Sequence, residues 1–317
     1  MRKKIYIHIG PPKTGSTTLQ GVLSDQSDSE HPKVYYPEAA RLYEGAKTAR
    51  KDGENIHYGT NKAINHTNVF NALIGTMIEP SNSQILDGLV AEIAECNHAH
   101  VVISSENFFV LDGEIPNFID SFNQYPVKVL LYIRNPASRI ISLYREHVRK
   151  GNMTISFTEF LEREWCLLQE HHIINRWANH VGRENIITRS FEEAVAGSGL
   201  YYDFIEAIDV DWEGESVPPR EKLKNAKMPD QLLWLMKSLS KWQKKCKVGG
   251  VEFLICINLK RILSQSSVIQ KVLYYALYPL RNRLISDEAR TFLSKRINDE
   301  LSQLSQEDRL LYADYRD

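Results

Sequence analysis

The chain has no uncharged apolar run approaching the roughly eighteen residues that a membrane-spanning helix needs. The nearest, Val272–Leu280, is short and contains Pro279. The start, MRKKIYIHIG, has basic residues but lacks the apolar stretch and small-residue cleavage site of a secretory signal. Cysteine is scarce. Cys96, Cys166, Cys246 and Cys256 are scattered with no C-x-x-C, which with no secretory signal favours reduced thiols over a disulfide framework. Small buried thiols in a reducing, cytoplasmic setting are the expectation. An excess of one charge sign is also missing. Lys+Arg 39 against Asp+Glu 40 leaves a formal net charge of -1, so binding to nucleic acid or anionic lipid through bulk charge is excluded. His98-x-His100 and His171–His172 lack further ligands at suitable spacing, so no metal site is expected.

What is present suits a folded α/β protein: 317 residues, 43% hydrophobic and 25% charged. Ile5–Ile9, Val101–Ser104, Val127–Ile133 and Asn185–Thr188 are short runs rich in branched residues, each followed by a loop or helix signal. Strands separated by helical stretches predict a central parallel sheet flanked by helices. Ligands of such sheets bind beyond the carboxyl ends of the strands. From about Pro229 onward the apolar spacing is helical, as in Leu232, Leu233, Met236 and Leu239. Glu213–Pro219, with Gly214 and paired prolines, reads as a linker. The polar segment His31–His100 carries no legible motif.

The first strand runs into Gly-Pro-Pro-Lys-Thr-Gly-Ser-Thr-Thr, and a helix follows. A glycine-containing loop before a helix N-terminus presents free backbone N–H groups and the positive end of the helix dipole, which together attract an anion. Gly10 and Gly15 have the spacing of the two glycines in the nucleoside-triphosphate loop. Position 16 is Ser rather than Lys, however, and the lysine sits inside the loop as Lys13. The third strand is followed by Arg134, a good N-cap at Asn135, and Pro136 as a first helical residue. Ser138, Ser142, Arg145 and Arg149 then share one helical face, with Ile140, Ile141, Tyr144 and Val148 on another side. Between Val127 and Gly151, Lys128, Arg134, Arg139, Arg145, Arg149 and Lys150 stand against Glu146 alone. The near-neutral total therefore hides one locally basic segment.

The string P-P-K-T-G-S-T-T resembles the 5′-phosphosulfate loop of sulfotransferases that use 3′-phosphoadenosine 5′-phosphosulfate (PAPS), and R-N-P-x-x-R-x-x-S-x-Y-x-x-x-x-x-K-G resembles their 3′-phosphate motif. The resemblance implies a P-loop-like three-layer fold with a helical C-terminal region: residues 1–225 as the α/β core and 226–317 packed on it. It implies that Lys13, Thr14, Gly15, Ser16, Thr17 and Thr18 hold the 5′-phosphosulfate and that Arg134 and Ser142 hold the 3′-phosphate. Arg139 and Lys150–Gly151 also fall on the motif, and Asn225 stands where a late loop closes over the nucleotide. PAPS would be the donor and 3′-phosphoadenosine 5′-phosphate (PAP) the product, with no metal.

Transfer to a hydroxyl or amine needs a base near the strand ends. Ser104-Ser105-Glu106 puts a carboxylate at the end of the second core strand, and sugar-directed members of the resembled family often use a Glu. His57, His66 and His147 are the competing bases, while His8 reads as a packed core residue. The implied acceptor is a carbohydrate or glycolipid of a bacterial cell, not nucleic acid. A homodimer and a peripheral membrane contact through the mixed apolar and basic stretch Val251–Leu284 are both compatible with the sequence, and packing within the fold is the plainer expectation for that stretch. A Mg²⁺-dependent nucleotide kinase and a non-catalytic PAP-binding module are the alternatives.

Overall fold

A computed structural model describes residues 3–27, 33–39, 41, 47–49, 56–58, 65–151, 153–211, 228–265, 284–304 and 312. The elements open with β1 (Lys4–His8), α1 (Ser16–Ser27), β2 (Lys47–Ala49), β3 (Ile56–Tyr58) and α2 (Thr67–Leu73). Next come β4 (Met77–Glu79), α3 (Asn82–Glu95), β5 (His100–Ser104), α4 (Ile115–Asp120) and β6 (Val127–Ile133). Then follow α5 (Pro136–Arg149), α6 (Phe157–Arg163), α7 (Glu170–Val181), β7 (Ile186–Ser190), α8 (Phe191–Ala196) and α9 (Leu200–Ala207). Last are α10 (Asp230–Lys245), α11 (Val251–Gln265) and α12 (Asp287–Gln303).

Compact packing divides the chain into two units. The first takes the described residues of Met1–Arg134 and Gln169–Lys222, the second those of Asn135–Leu168 and Leu223–Asp317. These boundaries differ from the expected 1–225 and 226–317. The expected linker Glu213–Pro219 lies outside the described residues.

In the first unit the four strands expected from sequence form one parallel sheet, ordered β5-β1-β6-β7. Alternate residues serve its two faces. Tyr6, Val102, Leu130 and Tyr132 pack with Leu19 and Leu23 of α1 and with Leu200, Phe204 and Ile205 of α9. Ile5, Ile7, Ile103, Val129 and Leu131 point the other way and are equally buried, and α7 packs on β6 and β7. Burial on both faces explains why β1, β5 and β6 read as apolar runs, whereas β7 is half-buried along its length. The result is the P-loop-like α/β architecture, with helices on either side of a parallel sheet. A separate antiparallel sheet, ordered β3-β2-β4, falls within the segment that carried no legible motif.

The second unit is helical. Ile140, Leu143, Tyr144 and Val148 of α5 pack with Phe157, Phe160 and Leu161 of α6, Leu232, Leu233, Met236 and Leu239 of α10, and Leu293 of α12. The apolar side of α5 therefore draws it into the unit of the C-terminal helices. Along α11, Cys256 and Leu263 are buried, whereas Val251, Leu254, Ile255, Ile257 and Leu259 are exposed. The adjoining 266–283, which includes the apolar run Val272–Leu280, lies outside the described residues. Two expectations need correction. Of the four free cysteines only Cys256 is buried, and Cys166 is exposed. The supposed basic face of α5 is partly consumed by ion pairing: Arg145 pairs with Asp230 and donates to the Met228 carbonyl at 2.7 Å. Among the described residues, no helix is long and apolar enough to cross a membrane.

Candidate active site

Parallel pairing puts the carboxyl ends of β5, β1 and β6 side by side on one sheet edge, because His8 stands opposite both Ser104 and Leu130. Three expected site features leave the sheet there: Glu106 after β5, the loop Gly10–Gly15 after β1, and Arg134 after β6.

The loop is a tight turn that ends in a helix. Thr14 is buried and its hydroxyl donates to the Pro11 carbonyl at 2.7 Å. Lys13 and Gly15 are both left-handed, at φ 71° and 78°. For glycine this conformation is free, whereas for lysine it costs about 1–2 kcal/mol. Gly15 is also required by space, since a Cβ there would meet Leu200 Cδ2 at 2.6 Å and Phe191 Cε2 at 3.1 Å. At Gly10 a Cβ would lie 2.1 Å from Ser16 Oγ and 3.1 Å from His8 Cε1. Backbone, Ser16 and His8 thus converge closely, and only glycine fits at that point. Ser16 is the first residue of α1, where backbone N–H groups have no helical partner. Its hydroxyl is buried and has no hydrogen-bond partner among the described residues. A buried hydroxyl left without a partner is uncommon and points to a ligand or water. Thr17 is exposed and Thr18 half-buried.

Arg134 ties the end of β6 to this loop by donating to the Lys13 carbonyl at 2.6 Å. Its guanidinium lies 4.9 Å from the centroid of Phe191 and 3.7 Å from the Glu192 carboxylate. Phe191 and Glu192, at the start of α8, were not among the expected site residues. Their position directly after a core strand was the available signal.

Glu106 is half-buried and opens a short 3-10 turn, Glu106–Val110. The preceding Ser105 anchors it. Its N–H donates to the His8 carbonyl and its hydroxyl accepts from the Asn107 N–H, both at 3.3 Å. Beneath this edge lies a buried polar network. His8 Nδ1 is 2.7 Å from Ser104 Oγ, which also accepts from Gln20 Nε2 at 3.0 Å. His66 Nδ1 accepts from the Ser104 N–H at 3.1 Å, so its proton sits on Nε2, 3.1 Å from the Pro37 carbonyl. Burial pulls both imidazoles far down, His8 and His66 each to about 3, with the nearby Arg41 cation adding to the effect on His66. His8 is thus a core residue, as its strand position suggested. Of the competing bases, His66 has both ring nitrogens engaged with backbone, and the His147 ring lies tilted against Phe160 in the helical unit. His57 pairs with Thr48 in the small sheet.

The two buried histidines give a sign to acid stability. Below pH 6.5 the unfolded chain binds protons that the folded chain refuses, so stability falls with pH down toward about 3. Chemical denaturation between pH 7 and 5 is expected to show a loss of roughly 1 kcal/mol per histidine per unit below pH 6. A flat profile that also fails to change in His8→Gln would contradict the burial of both groups.

Ser142 is half-buried on α5 in the second unit, and Asn225 lies outside the described residues. Arg139 is buried within the helical unit and donates to the Leu167 carbonyl, so its place in the motif is structural. Among the described residues, no group of three or more His, Cys, Asp or Glu could hold a metal ion.

Several solved structures resemble this chain. One is a sulfotransferase from Alicyclobacillus acidocaldarius, 18% identical, covering 76% of this chain and 93% of that one at a TM-score of 0.42. Another is mouse sulfotransferase SULT7A1 complexed with PAP, 12% identical, covering 98% and 88% at 0.42. A third is the sulfotransferase domain from the curacin biosynthetic pathway, 16% identical, covering 68% and 76% at 0.40. No family model and no curated protein sequence matches the chain.

Proposed function

We propose that this protein is a PAPS-dependent sulfotransferase that moves a sulfuryl group to a hydroxyl or amine of a carbohydrate or glycolipid acceptor. One observation carries this proposal: a strand–loop–helix anion cradle with a buried, unsatisfied Ser16 hydroxyl and its lysine at Lys13, inside the turn. The 5′-phosphosulfate of the donor would take the N–H groups at the start of α1 and the hydroxyls of Ser16, Thr17 and Thr18. Thr14 braces the turn through Pro11. Arg134 is assigned the 3′-phosphate, and so is Ser142 on the strength of the sequence string. Asn225 is assigned to the nucleotide on the same ground.

The chemistry is an in-line displacement. The acceptor oxygen or nitrogen attacks sulfur, a new bond to sulfur forms, and the bond from sulfur to the bridging phosphate oxygen breaks. Glu106 takes the acceptor's proton. The Lys13 ammonium stabilises the charge that grows on the departing phosphate, and PAP leaves as product.

The test is a binding and transfer assay. PAP is expected to bind without added Mg²⁺, and labelled PAPS to yield a labelled product with a member of a glycan panel. Ser16→Ala is expected to weaken PAP binding about tenfold, the value of one hydrogen bond to a charged group. Mg²⁺-dependent binding of ATP in preference to PAP would point to the kinase. PAP binding with no acceptor in any panel would leave a binding module.

A further inference from the structure

A pocket of about 290 Å³ lies wholly within the helical unit. Thr158 of α6, Trp234, Lys237, Ser238 and Lys241 of α10, and Ser286 at the head of α12 line it. The spacing 234, 237, 238 and 241 places one face of α10 on the cavity, with the two lysines a single turn apart.

Lys237 is held in a particular way. Its ammonium donates to the Tyr144 hydroxyl at 2.6 Å and lies 5.3 Å from the centroid of that ring. The Tyr144 hydroxyl in turn donates to the Ile155 carbonyl at 3.0 Å. Burial pushes the phenol away from ionising, so this partner is neutral and supplies no counter-charge. Burial, and then repulsion from Lys241, pulls Lys237 down to about 8, with exposed Glu159 opposing. Asp287 and Glu288 occupy the first turn of α12, with Arg290 following on that helix, and Glu162 and Arg163 stand further along α6. Trp234 is 39% exposed and offers an apolar ring face. The rest of the wall mixes hydroxyl-bearing residues with the apolar Phe157, Leu284 and Ala289. Two lysine donors favour a compact anion, an indole face favours a sugar ring, and hydroxyls suit sugar hydroxyls. The volume sits at the low end of small-molecule sites.

We propose that this pocket is a second binding site, one that takes a monosaccharide carrying a phosphate or sulfate ester. Lys237 and Lys241 meet the ester, Trp234 covers the ring, and Thr158, Ser238 and Ser286 bond its hydroxyls. This site does not depend on the donor assignment, because none of these residues belongs to the loop after β1.

The experiment titrates the full chain with glucose 6-phosphate and glucose 6-sulfate by calorimetry, with glucose as the neutral control. At least one ester is expected to bind ten or more times more tightly than glucose, and the stronger of the two identifies the anion. Lys241→Gln, at an exposed position, is expected to weaken that ester roughly tenfold and Lys237→Met by more. Affinity is expected to fall between pH 7 and 9 as Lys237 loses its proton, and Lys13→Ala is expected to leave it unchanged. Thermal melting checks that each variant is folded, and Lys241→Gln suffices should Lys237→Met not fold. Equal affinity for ester and glucose, or unaltered ester affinity in Lys241→Gln, overturns the proposal. So does loss of ester binding in Lys13→Ala, which would place the ester in the loop.

Discussion

Glu106→Gln is expected to lower the rate of sulfuryl transfer by about 10²–10⁴-fold, the usual contribution of a positioned general base. PAP affinity is expected to stay as it was. The substitution keeps the shape of the side chain and removes only its capacity to accept a proton. Ser105 holds the turn through its bonds to the His8 carbonyl and the Asn107 N–H, so the backbone has no reason to move. Rapid-quench assays with labelled PAPS measure the first effect and calorimetry with PAP the second. Full activity in Glu106→Gln would remove the base assignment and return attention to the histidines. Loss of PAP binding together with activity would instead mean that Glu106 shapes the donor site.

The second large effect separates chemistry from stability at one residue. Lys13→Ala and Lys13→Gly both delete the ammonium proposed to stabilise the departing phosphate, and each is expected to lose about 10²–10³-fold in rate. They differ in the backbone. Lys13 is left-handed at φ 71°, and alanine inherits that strain while glycine does not. Lys13→Gly is therefore expected to be about 1 kcal/mol more stable than Lys13→Ala, after the entropy that glycine gains in the unfolded chain is counted. Paired urea melts decide this. A less stable glycine variant would mean that the turn is not strained at that position.

That strain marks the edge of what the sequence could disclose. The core strands were legible because burial on both faces turns them into unbroken apolar runs, and Ile5, Val101 and Val129 are all fully buried. The turn between β1 and α1 was legible because its two glycines have a recognisable spacing, and Gly15 proves to be required by both φ and space. A left-handed lysine leaves no such mark, since nothing in its side chain favours that conformation. Helical spacing placed Arg145 on one face of α5 but could not name Asp230, its partner 85 residues away. Spacing likewise could not show that Arg139 would be drawn inside to the Leu167 carbonyl. The His8–Ser104 contact was invisible for the same reason: each residue reads as the end of a separate strand.

The position of β1 governs when the loop can assemble. Ile5 pairs with both Val101 and Val127, so β1 waits for two partners that emerge far later in synthesis. Contacts this distant in sequence close slowly and late. The lysine-bearing turn follows that strand directly, and Arg134, which clasps its carbonyl, comes later still. The turn after β1 is therefore braced only once the chain has been made as far as Arg134. A ribosome-bound fragment that ends before Val127 should carry every loop residue and still lack the cradle.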